Sequence, residues 1–195
     1  MSQKINTLVI CGNPGSGKTS ISKHLVKNYL KEFYFLDKDT FYVKISGEFM
    51  NYVHNNRYDR DSPLYKQYCR DHEYEGLLDA ARENAELDKC TLLCAPYGTE
   101  FSTLENFLKF KQRLEEFSNP GFIWLHTESE QIRQSILHRA HAFDKYKLDN
   151  WEGYIQGRNK NLNPDLVPYV DIVSNDSTID NVAQKVYDIV KRKGE

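Results

Sequence analysis

The segment Cys11–Ser20, with the sequence CGNPGSGKTS, constrains the fold of this chain more than any other. It lies between the apolar run Thr7–Ile10 and a stretch with the apolar periodicity of a helix. Glycines let a backbone fold around an anion, so that successive N–H groups and the N-terminus of the following helix converge on phosphate oxygens. The sequence therefore predicts a buried strand, a phosphate-binding loop and a helix, in that order.

The loop fits the pattern G-x-x-x-x-G-K-[ST], whose fixed positions are Gly12, Gly17, Lys18 and Thr19. Lys18 is expected to reach the β- and γ-phosphates of a nucleoside triphosphate, and the Thr19 hydroxyl to hold a Mg²⁺ ion. The residues expected to contact the nucleotide are those of the whole loop: Gly12, Asn13, Pro14, Gly15, Ser16, Gly17, Lys18, Thr19 and Ser20.

Five short apolar segments with strand-like composition alternate with stretches long enough to hold helices. They are Ile5–Cys11, Phe33–Asp37, Cys90–Ala95, Gly121–His126 and Tyr169–Ser174. This alternation predicts an α/β fold in which helices cover both faces of a five-stranded parallel sheet. The chain has no repeat, low-complexity tract or linker, so residues 1–195 are predicted to form a single domain.

Local signals predict the boundaries of three connecting segments. Thr127 with Glu130, and Ser177 with Asp180, have the spacing of capping boxes and predict two helix starts. The polar segment Asn51–Ser62 is predicted to be a loop.

Composition and charge argue against several classes of function. The formal net charge of −2 gives no reason to expect a polyanionic partner, so nucleic acid is not an expected partner. The N-terminal apolar run is about five residues long, against the roughly seven to fifteen of a signal peptide. No segment approaches the roughly 18 apolar residues of a membrane span. We therefore expect a cytoplasmic protein without a membrane partner, and no feature of the sequence indicates its oligomeric state.

The four cysteines do not form a C-x-x-C pair, and they are predicted to be reduced residues of the core: Cys11, Cys69, Cys90 and Cys94. A zinc site built from Cys90, Cys94 and distant histidines is the alternative. It is disfavoured because both cysteines fall inside one predicted strand.

Other motifs narrow the class of nucleotide-binding protein. A GTPase would carry D-x-x-G and N-K-x-D motifs, and the chain has neither. A ring-forming motor would need a strand that ends in paired acids and a further helical domain, for which little chain remains. A phosphoryl transferase is the class left by this elimination.

Two aspartates follow the second predicted strand, in the segment FLDKDTF. Asp37 and Asp39 share a face of an extended segment, and the carboxyl ends of parallel strands border the ligand crevice. One carboxylate could hold Mg²⁺ through water while the other accepts the proton of an attacking hydroxyl. Two alternatives stay open: both are solvated turn residues, or Asp37 alone holds the metal and Asp39 caps a helix that begins at Thr40.

Four segments carry a resemblance to a known family: GNPGSGKTS, LDKDTF, Arg70–Tyr97 and Arg139–Tyr154. Over nearly its whole length the chain resembles the small P-loop kinases of the shikimate, gluconate, chloramphenicol and zeta-toxin type, and kinase-like ATP-binding proteins labelled AAA-family ATPases. The resemblance implies a P-loop NTPase three-layer sandwich with a short lid, and ATP and Mg²⁺ as cofactors. It implies Asp39 as the base that activates the acceptor hydroxyl, with Asp37 nearer the metal.

The resemblance places the lid at about residues 139–148. Related proteins are similar to R-x-x-x-R-D-x-x-K-L-x-x-W here, and this chain keeps Arg139, Asp144, Lys147, Leu148 and Trp151. Arg139 is expected to stabilise charge on the γ-phosphoryl oxygens, the alternative being an exposed arginine at a helix end. Phe143 stands where a second arginine is usual. This departure is expected to weaken transfer or to shift the role of that arginine to His141, Lys145 or Lys147.

The acceptor site is expected within about residues 40–87. Arg70, Glu73 and Tyr74 have the i, i+3, i+4 spacing of one helix face, which the resemblance places over the acceptor pocket. They either line a polar substrate or form an exposed salt bridge beside a core tyrosine. Asn175, just after the last predicted strand, lies where the family contacts adenine, and a plain turn residue is the alternative.

These residues together predict an ATP-dependent kinase that transfers the γ-phosphoryl group to a hydroxyl of a small molecule, with Lys18, Asp39 and Arg139 as catalytic residues. No motif identifies the acceptor or a preference for ATP over GTP. Two other functions stay open: an ATP-dependent switch or NTPase without an acceptor, and a 5′-hydroxyl polynucleotide kinase. The second would need a basic groove, and the longest basic run, Lys191–Lys193, lies near the C-terminus.

Overall fold

The structure is a computed structural model that describes residues 4–156 and 162–194, leaving aside the side chains of Phe143 and Tyr146. Its strands are β1 (Thr7–Cys11), β2 (Phe33–Asp37), β3 (Cys90–Cys94), β4 (Pro120–His126) and β5 (Asp171–Ser174). All strand pairs are parallel, and the order across the sheet is β2-β3-β1-β4-β5. The predicted five-stranded parallel sheet is confirmed, with β1 at its centre.

Helices connect the strands: α1 (Lys18–Asn28), α2 (Lys38–His54), α3 (Pro63–Tyr65), α4 (Asp71–Glu86), α5 (Leu104–Glu115), α6 (Ser129–Arg139), α7 (Lys145–Asp149), α8 (Trp151–Gln156) and α9 (Ile179–Gly194). A π-helical turn, Lys66–Arg70, joins α3 to α4, and short 3-10 turns lie at Ala142–Asp144 and Pro164–Leu166. Because every strand runs in the same direction, the segments that follow β1, β2 and β4 leave from one edge of the sheet. Within the described ranges, no helix is both long and apolar enough to cross a bilayer.

The central strands of the sheet, β1, β3 and β4, are buried on both faces. Val9 and Trp124 pack with side chains of α4 and α5 on one face, whereas Leu8 and Ile123 pack with side chains of α1 and α9 on the other. Alternate residues of a strand point to opposite faces, so a strand covered on both sides is apolar throughout. This two-sided burial explains why the strands were recognisable as continuous apolar runs, and it confirms the prediction of helices on both faces.

The two predicted capping boxes are wrong in detail. Helix α6 begins at Ser129, and Thr127 instead donates a hydrogen bond from its hydroxyl to the Ser16 carbonyl oxygen at 3.2 Å. Helix α9 begins at Ile179, where the Thr178 hydroxyl accepts the Asn181 N–H at 3.3 Å, so the capping residue lies one position after Ser177. Thr127 does not cap α6 because its hydroxyl bonds to the phosphate loop instead. At α9, the neighbouring Thr178 takes the capping position predicted for Ser177.

The predicted loop over residues 51–62 begins later than expected. Helix α2 continues through His54, and the chain leaves it at Asn55, which has a φ of 49°. Met50 is fully buried and packs with Tyr65 and Cys69, which holds the last turns of the helix against the following segment. The burial of one apolar side chain thus extends α2 into polar sequence.

Candidate active site

The phosphate loop joins β1 to α1 and depends on glycine for its shape. Gly12 and Gly17 have φ values of 137° and 85°, a region that residues with a side chain rarely adopt. A Cβ atom added at Gly12 would lie 2.6 Å from the carbonyl oxygen of Leu125. The loop therefore passes directly against β4, and helix α1 begins at its last residues with its free N–H groups at the sheet edge.

The Ser16 carbonyl oxygen anchors this loop to the ends of β4 and β5. It accepts the Thr127 hydroxyl at 3.2 Å and the Asn175 side-chain amide at 3.0 Å. Asn175, predicted to contact the nucleotide, thus contacts the loop itself, and its contact with a nucleotide stays a prediction. The sequence did not reveal this supporting role, because Ser16 and Asn175 are 159 residues apart.

Lys18 lies buried at the start of α1. Its Nζ donates hydrogen bonds to the carbonyl oxygens of Gly12 at 2.9 Å and Asn13 at 2.8 Å. Burial lowers the pKa of Lys18 to about 8. An anion that entered the loop would find this ammonium group already in place and would favour its charged form.

Thr19 and Asp37 bring the loop and the end of β2 together. The Thr19 hydroxyl donates to Asp37 Oδ2 at 2.8 Å, and Asp37 Oδ1 accepts the Thr40 N–H at 3.0 Å. Asp37 is buried, so it is not a solvated turn residue, and it is Asp37 rather than Asp39 that caps α2. The paired hydroxyl and carboxylate oxygens are the type of ligand that Mg²⁺ prefers.

Asp39 is open to solvent, with 60% of its side chain exposed. Its Oδ1 lies 3.0 Å from the ammonium group of Lys38. Partial burial would raise the pKa of Asp39, but Lys38, Lys18 and Lys147 outweigh it and hold that pKa below its ordinary value. Asp39 is therefore an accessible, ionised carboxylate.

Lys38 lies between the two aspartates of the sequence and belongs to a buried polar cluster. Its Nζ donates to Glu73 at 2.6 Å, and the same carboxylate accepts the hydroxyls of Ser46 at 2.5 Å and Tyr65 at 2.7 Å. Burial alone would lower the pKa of Lys38, but Asp39, Tyr65 and Glu73 raise it above its ordinary value. The cluster fixes a charged lysine beside Asp39, a role that the sequence did not predict.

The predicted trio on one helix face divides into two groups. Arg70 and Tyr74 stack, with the guanidinium 4.3 Å from the ring centre, and Arg70 donates to both carboxylate oxygens of Glu100 at 3.0 Å. Glu73 is buried behind them in the Lys38 cluster. Arg70 also forms an ion pair at 2.7 Å with the exposed Asp71, beside the buried Tyr74, so this part of the alternative stays open, and a substrate contact by these residues stays a prediction.

In the predicted lid, Arg139 is the last residue of α6. Its guanidinium donates to both oxygens of Asp144, at 2.6 and 2.8 Å, and Lys147 donates to the same carboxylate at 2.7 Å. Burial would raise the pKa of Asp144, but the bonds from Arg139 and Lys147 hold it below its ordinary value. One buried carboxylate thus positions two cations. Phe143, which stands where related proteins have arginine, has a side chain outside the described part.

These groups line a cleft of about 1140 Å³ at the carboxyl edge of the sheet. The phosphate loop and Asp37 form its floor. Segments between β2 and β3 form what we call the β2-side wall: Lys38, Asp39, Val43, Arg60, Asp61, Tyr65, Lys66, Arg70 and Tyr74. Segments after β4 form the β4-side wall: Ser135, His138, Arg139, Lys147, Asn150, Gly153 and Tyr154. The volume exceeds the roughly 300–1,000 Å³ of pockets for a single ligand and suits two ligands side by side.

The cysteines belong to the core. All four are free thiols, of which Cys11, Cys69 and Cys94 are buried and Cys90 is half-buried. Burial, with Asp37 nearby, raises the pKa of Cys94 to about 12 and keeps the thiol protonated. Within the described ranges, no group of three or more His, Cys, Asp and Glu residues is placed to hold a metal ion, so the zinc alternative gains no support.

Sequence comparison gives a partial match to a protein family. Residues 1–58 match a protein-family model described as Novel STAND NTPase 3. No curated protein sequence matches the chain significantly. The match covers β1, the phosphate loop, β2 and α2, which is the part of the chain that carries the loop and both aspartates.

Structural comparison covers nearly the whole chain. A gluconokinase from Sinorhizobium meliloti has 13% identity and a TM-score of 0.62, over 97% of this chain and 94% of its own. A sugar kinase from a Janibacter species has 14% identity and a TM-score of 0.65, over 96% and 95%. An APS kinase from Mycobacterium tuberculosis, solved with AMPPNP and APS, has 17% identity and a TM-score of 0.56, over 97% and 99%.

The chain therefore has the α/β fold of the P-loop kinases. The likeness to these three kinases extends over nearly the whole of each protein, since each alignment spans at least 94% of both chains. At such identities the likeness establishes the fold, and the residues of the cleft must carry any inference about activity.

Proposed function

We propose that the protein is an ATP-dependent kinase that transfers the γ-phosphoryl group of ATP to a hydroxyl of a small molecule. The observation that carries this proposal is that one cleft contains both a phosphate loop and an accessible, ionised carboxylate, Asp39. A switch or a hydrolase needs the loop, whereas transfer to an alcohol also needs a group that accepts the proton of the alcohol. The likeness to a gluconokinase and a sugar kinase supports the same class of reaction.

The residues of the loop fit a nucleoside triphosphate with Mg²⁺. At Gly12 the backbone passes so close to β4 that a Cβ there would clash. One side of the loop therefore packs against β4, and its other, concave side is available to bind an anion. Thr19 and Asp37 supply oxygen ligands 2.8 Å apart and would hold the metal together with phosphate oxygens. When bound, Mg²⁺ would neutralise negative charge on those oxygens.

In the proposed reaction the acceptor oxygen forms a bond to the γ-phosphorus, and the bond from that phosphorus to the β–γ bridging oxygen breaks. ADP leaves with the electron pair of the broken bond, and Asp39 accepts the proton that the acceptor hydroxyl loses. Lys18 and Arg139 stabilise the negative charge of the phosphoryl group in transfer. Positioning and electrostatics would supply most of the rate enhancement.

The lowered pKa of Asp39 is compatible with this role. In a loose transition state the bond from the attacking oxygen to phosphorus is little formed, so the hydroxyl becomes acidic only late, and a weak base that is ionised at neutral pH suffices. Lys38 would act as a positioning residue, since its ion pair at 3.0 Å holds the carboxylate of Asp39 at the cleft surface.

The test is substitution of Asp39 combined with a screen of hydroxyl compounds. We expect Asp39→Asn to lower kcat for phosphoryl transfer by about 100- to 10,000-fold, the range for loss of a general base. ATP affinity, measured by calorimetry with Mg²⁺, should change little because Asp39 lies beyond the loop. Transfer is measured as the labelled phosphoryl group recovered on the acceptor.

Asp79→Asn provides the matched control, because Asp79 is an exposed aspartate of α4 that does not line the cleft. Its variant should retain the transfer rate of the wild type. Transfer that Asp39→Asn leaves intact, or ATP turnover that never requires an acceptor, would contradict the proposal.

A second candidate is an ATP-dependent switch or NTPase without an acceptor. The match of residues 1–58 to a family described as a STAND NTPase favours it. This candidate predicts ATP hydrolysis at an unchanged rate in Asp39→Asn and no phosphorylated product with any hydroxyl compound.

A further inference from the structure

The cleft is much more basic than the whole molecule. The chain has a formal net charge of −2, yet the residues that line the cleft include seven lysines and arginines and three aspartates. Part of this charge belongs with the nucleotide. Lys18, Arg139 and Lys147 lie on the phosphate loop and the β4-side wall, where a triphosphate would need cations.

The other four cations lie on the β2-side wall, and two of them already have carboxylate partners. Lys38 is paired with Glu73 at 2.6 Å, and Arg70 is paired with Glu100 at 3.0 Å. The carboxylates of Glu73 and Glu100 neutralise the charges of these two cations, so Lys38 and Arg70 give no reason to expect a charged ligand.

Arg60 differs from both. It is half-buried, and its guanidinium donates to the backbone carbonyl oxygens of Asp59 at 3.0 Å and Val43 at 2.7 Å. The guanidinium carbon lies 5.2 Å from the ring centre of Tyr65. Within residues 4–156 and 162–194, no carboxylate lies within 4.0 Å of it. Two carbonyls and one ring therefore hold a partly desolvated arginine in the cleft wall, and no described carboxylate is close enough to form an ion pair with it.

Lys66 adds a second cation to this part of the wall. It is exposed, lines the cleft, and forms no ion pair with any described residue. Asp39 and Asp61 contribute two negative charges to the same wall, against the four positive charges of Lys38, Arg60, Lys66 and Arg70. Arg60 uses only some of its five N–H groups in its two hydrogen bonds to carbonyl oxygens. The planar guanidinium can donate two parallel hydrogen bonds, which match the oxygens of a carboxylate or a phosphate.

We propose that the acceptor carries a carboxylate or phosphate group in addition to its reacting hydroxyl, and that Arg60 binds this group with help from Lys66. The inference rests on the proposed kinase activity and specifies the class of its substrate. Arg60 acts here in binding and specificity, and Asp39, on the same wall, faces the hydroxyl end of the acceptor. A small hydroxy acid or a sugar phosphate has both groups.

The test compares acceptors that differ in one charged group. The pairs are gluconate with glucitol, glycerate with glycerol, and glycerol 3-phosphate with glycerol, and a 5′-hydroxyl oligonucleotide forms a separate arm. Binding is measured by calorimetry on the protein loaded with AMPPNP and Mg²⁺, and transfer is measured with ATP. We expect at least one charged compound to bind at least tenfold more tightly than its neutral partner, and the pair that responds distinguishes carboxylate from phosphate.

Variants test the assignment to Arg60. Arg60→Gln should raise KM and Kd for the charged compound about 10- to 100-fold, the effect of losing charge-assisted hydrogen bonds, while kcat changes little. Lys66→Gln should raise them less, and because Lys66 is exposed and forms no ion pair with described residues, this variant tests the wall without disturbing folding. Arg57→Gln is the matched control, since Arg57 lies in the same loop, pairs with Glu48 and does not line the cleft.

Each outcome bears on one of the two proposals. Equal binding of charged and neutral compounds, no binding of any charged probe, preference for the oligonucleotide, or equal losses in Arg57→Gln and Arg60→Gln would overturn the inference about the acceptor. Selective binding of a charged compound that depends on Arg60, without transfer of a phosphoryl group to it, would support the inference and count against the kinase.

Discussion

At the scale of single residues, Lys18 links the protonation of the protein to the binding of an anion. Its Nζ bonds to two backbone carbonyls, and burial lowers its pKa to about 8. In the free protein its charge is therefore lost as the pH rises through about 8. A bound polyphosphate stabilises the charged form, so binding above that pH must be accompanied by uptake of a proton.

We predict that the affinity for ATP with Mg²⁺ falls by up to about tenfold per pH unit above pH 8. Calorimetry at pH 7 to 9.5, in buffers with different ionisation enthalpies, measures both the affinity and the proton uptake. Lys18→Arg is the control, because a guanidinium stays charged over this range and its affinity should not depend on pH in this way. An unchanged affinity of the wild type up to pH 9.5 would refute the assignment.

The sequence alone predicted some residues of the site and missed others for physical reasons. Lys18 and Thr19 were identified because a phosphate loop needs fixed local spacing. The role of Lys38 was missed because its carboxylate partner, Glu73, lies 35 residues away. Arg60 lies in a polar segment whose composition fits a binding site and an ordinary surface loop equally well, and its carbonyl partners, which distinguish it, are not visible in a sequence.

At the scale of secondary structure, the start of α9 provides a direct test of the corrected cap. Thr178→Ala should lower the free energy of unfolding by about 1 kcal/mol, because the Asn181 N–H loses its hydrogen bond to the hydroxyl. Ser177→Ala should lower it by less than about 0.5 kcal/mol. Urea unfolding of the two variants measures both values, and a larger loss in Ser177→Ala would restore the cap predicted from the sequence.

Strands were easier to predict than helix ends. The central strands β1, β3 and β4 are buried on both faces, so they stand out in the sequence as apolar runs. A helix end depends on contacts that a local pattern does not contain. Asp180, predicted to complete a capping box, instead accepts hydrogen bonds from Tyr29 at 2.7 Å and contacts His24 at 2.9 Å, both on or beside α1.

At the scale of the whole molecule, the phosphate loop contacts β4, β5 and α1 together, so ligand binding there should stabilise the entire fold. ATP with Mg²⁺ at about 100 times its Kd would add about 2.7 kcal/mol to the free energy of unfolding. For a chain of this size we predict a rise in Tm of roughly 5–10 °C, measured by thermal denaturation with and without nucleotide.

Lys18→Ala should abolish this shift, and Lys27→Ala, on the exposed side of α1, should retain it. An equal shift in both variants would place the nucleotide elsewhere on the protein.

Asp37 takes part in two neighbourhoods of the cleft. One of its oxygens accepts the hydroxyl of Thr19 on the loop, and the other accepts the N–H of Thr40 in the first turn of α2, the helix that contributes Val43 to the β2-side wall. A change in the charge distribution on this carboxylate therefore affects both the phosphate loop and the first turn of α2. If ATP and the acceptor bind as proposed, we expect cooperativity without a hinge: each ligand would change the affinity of the other by the same factor through this shared side chain.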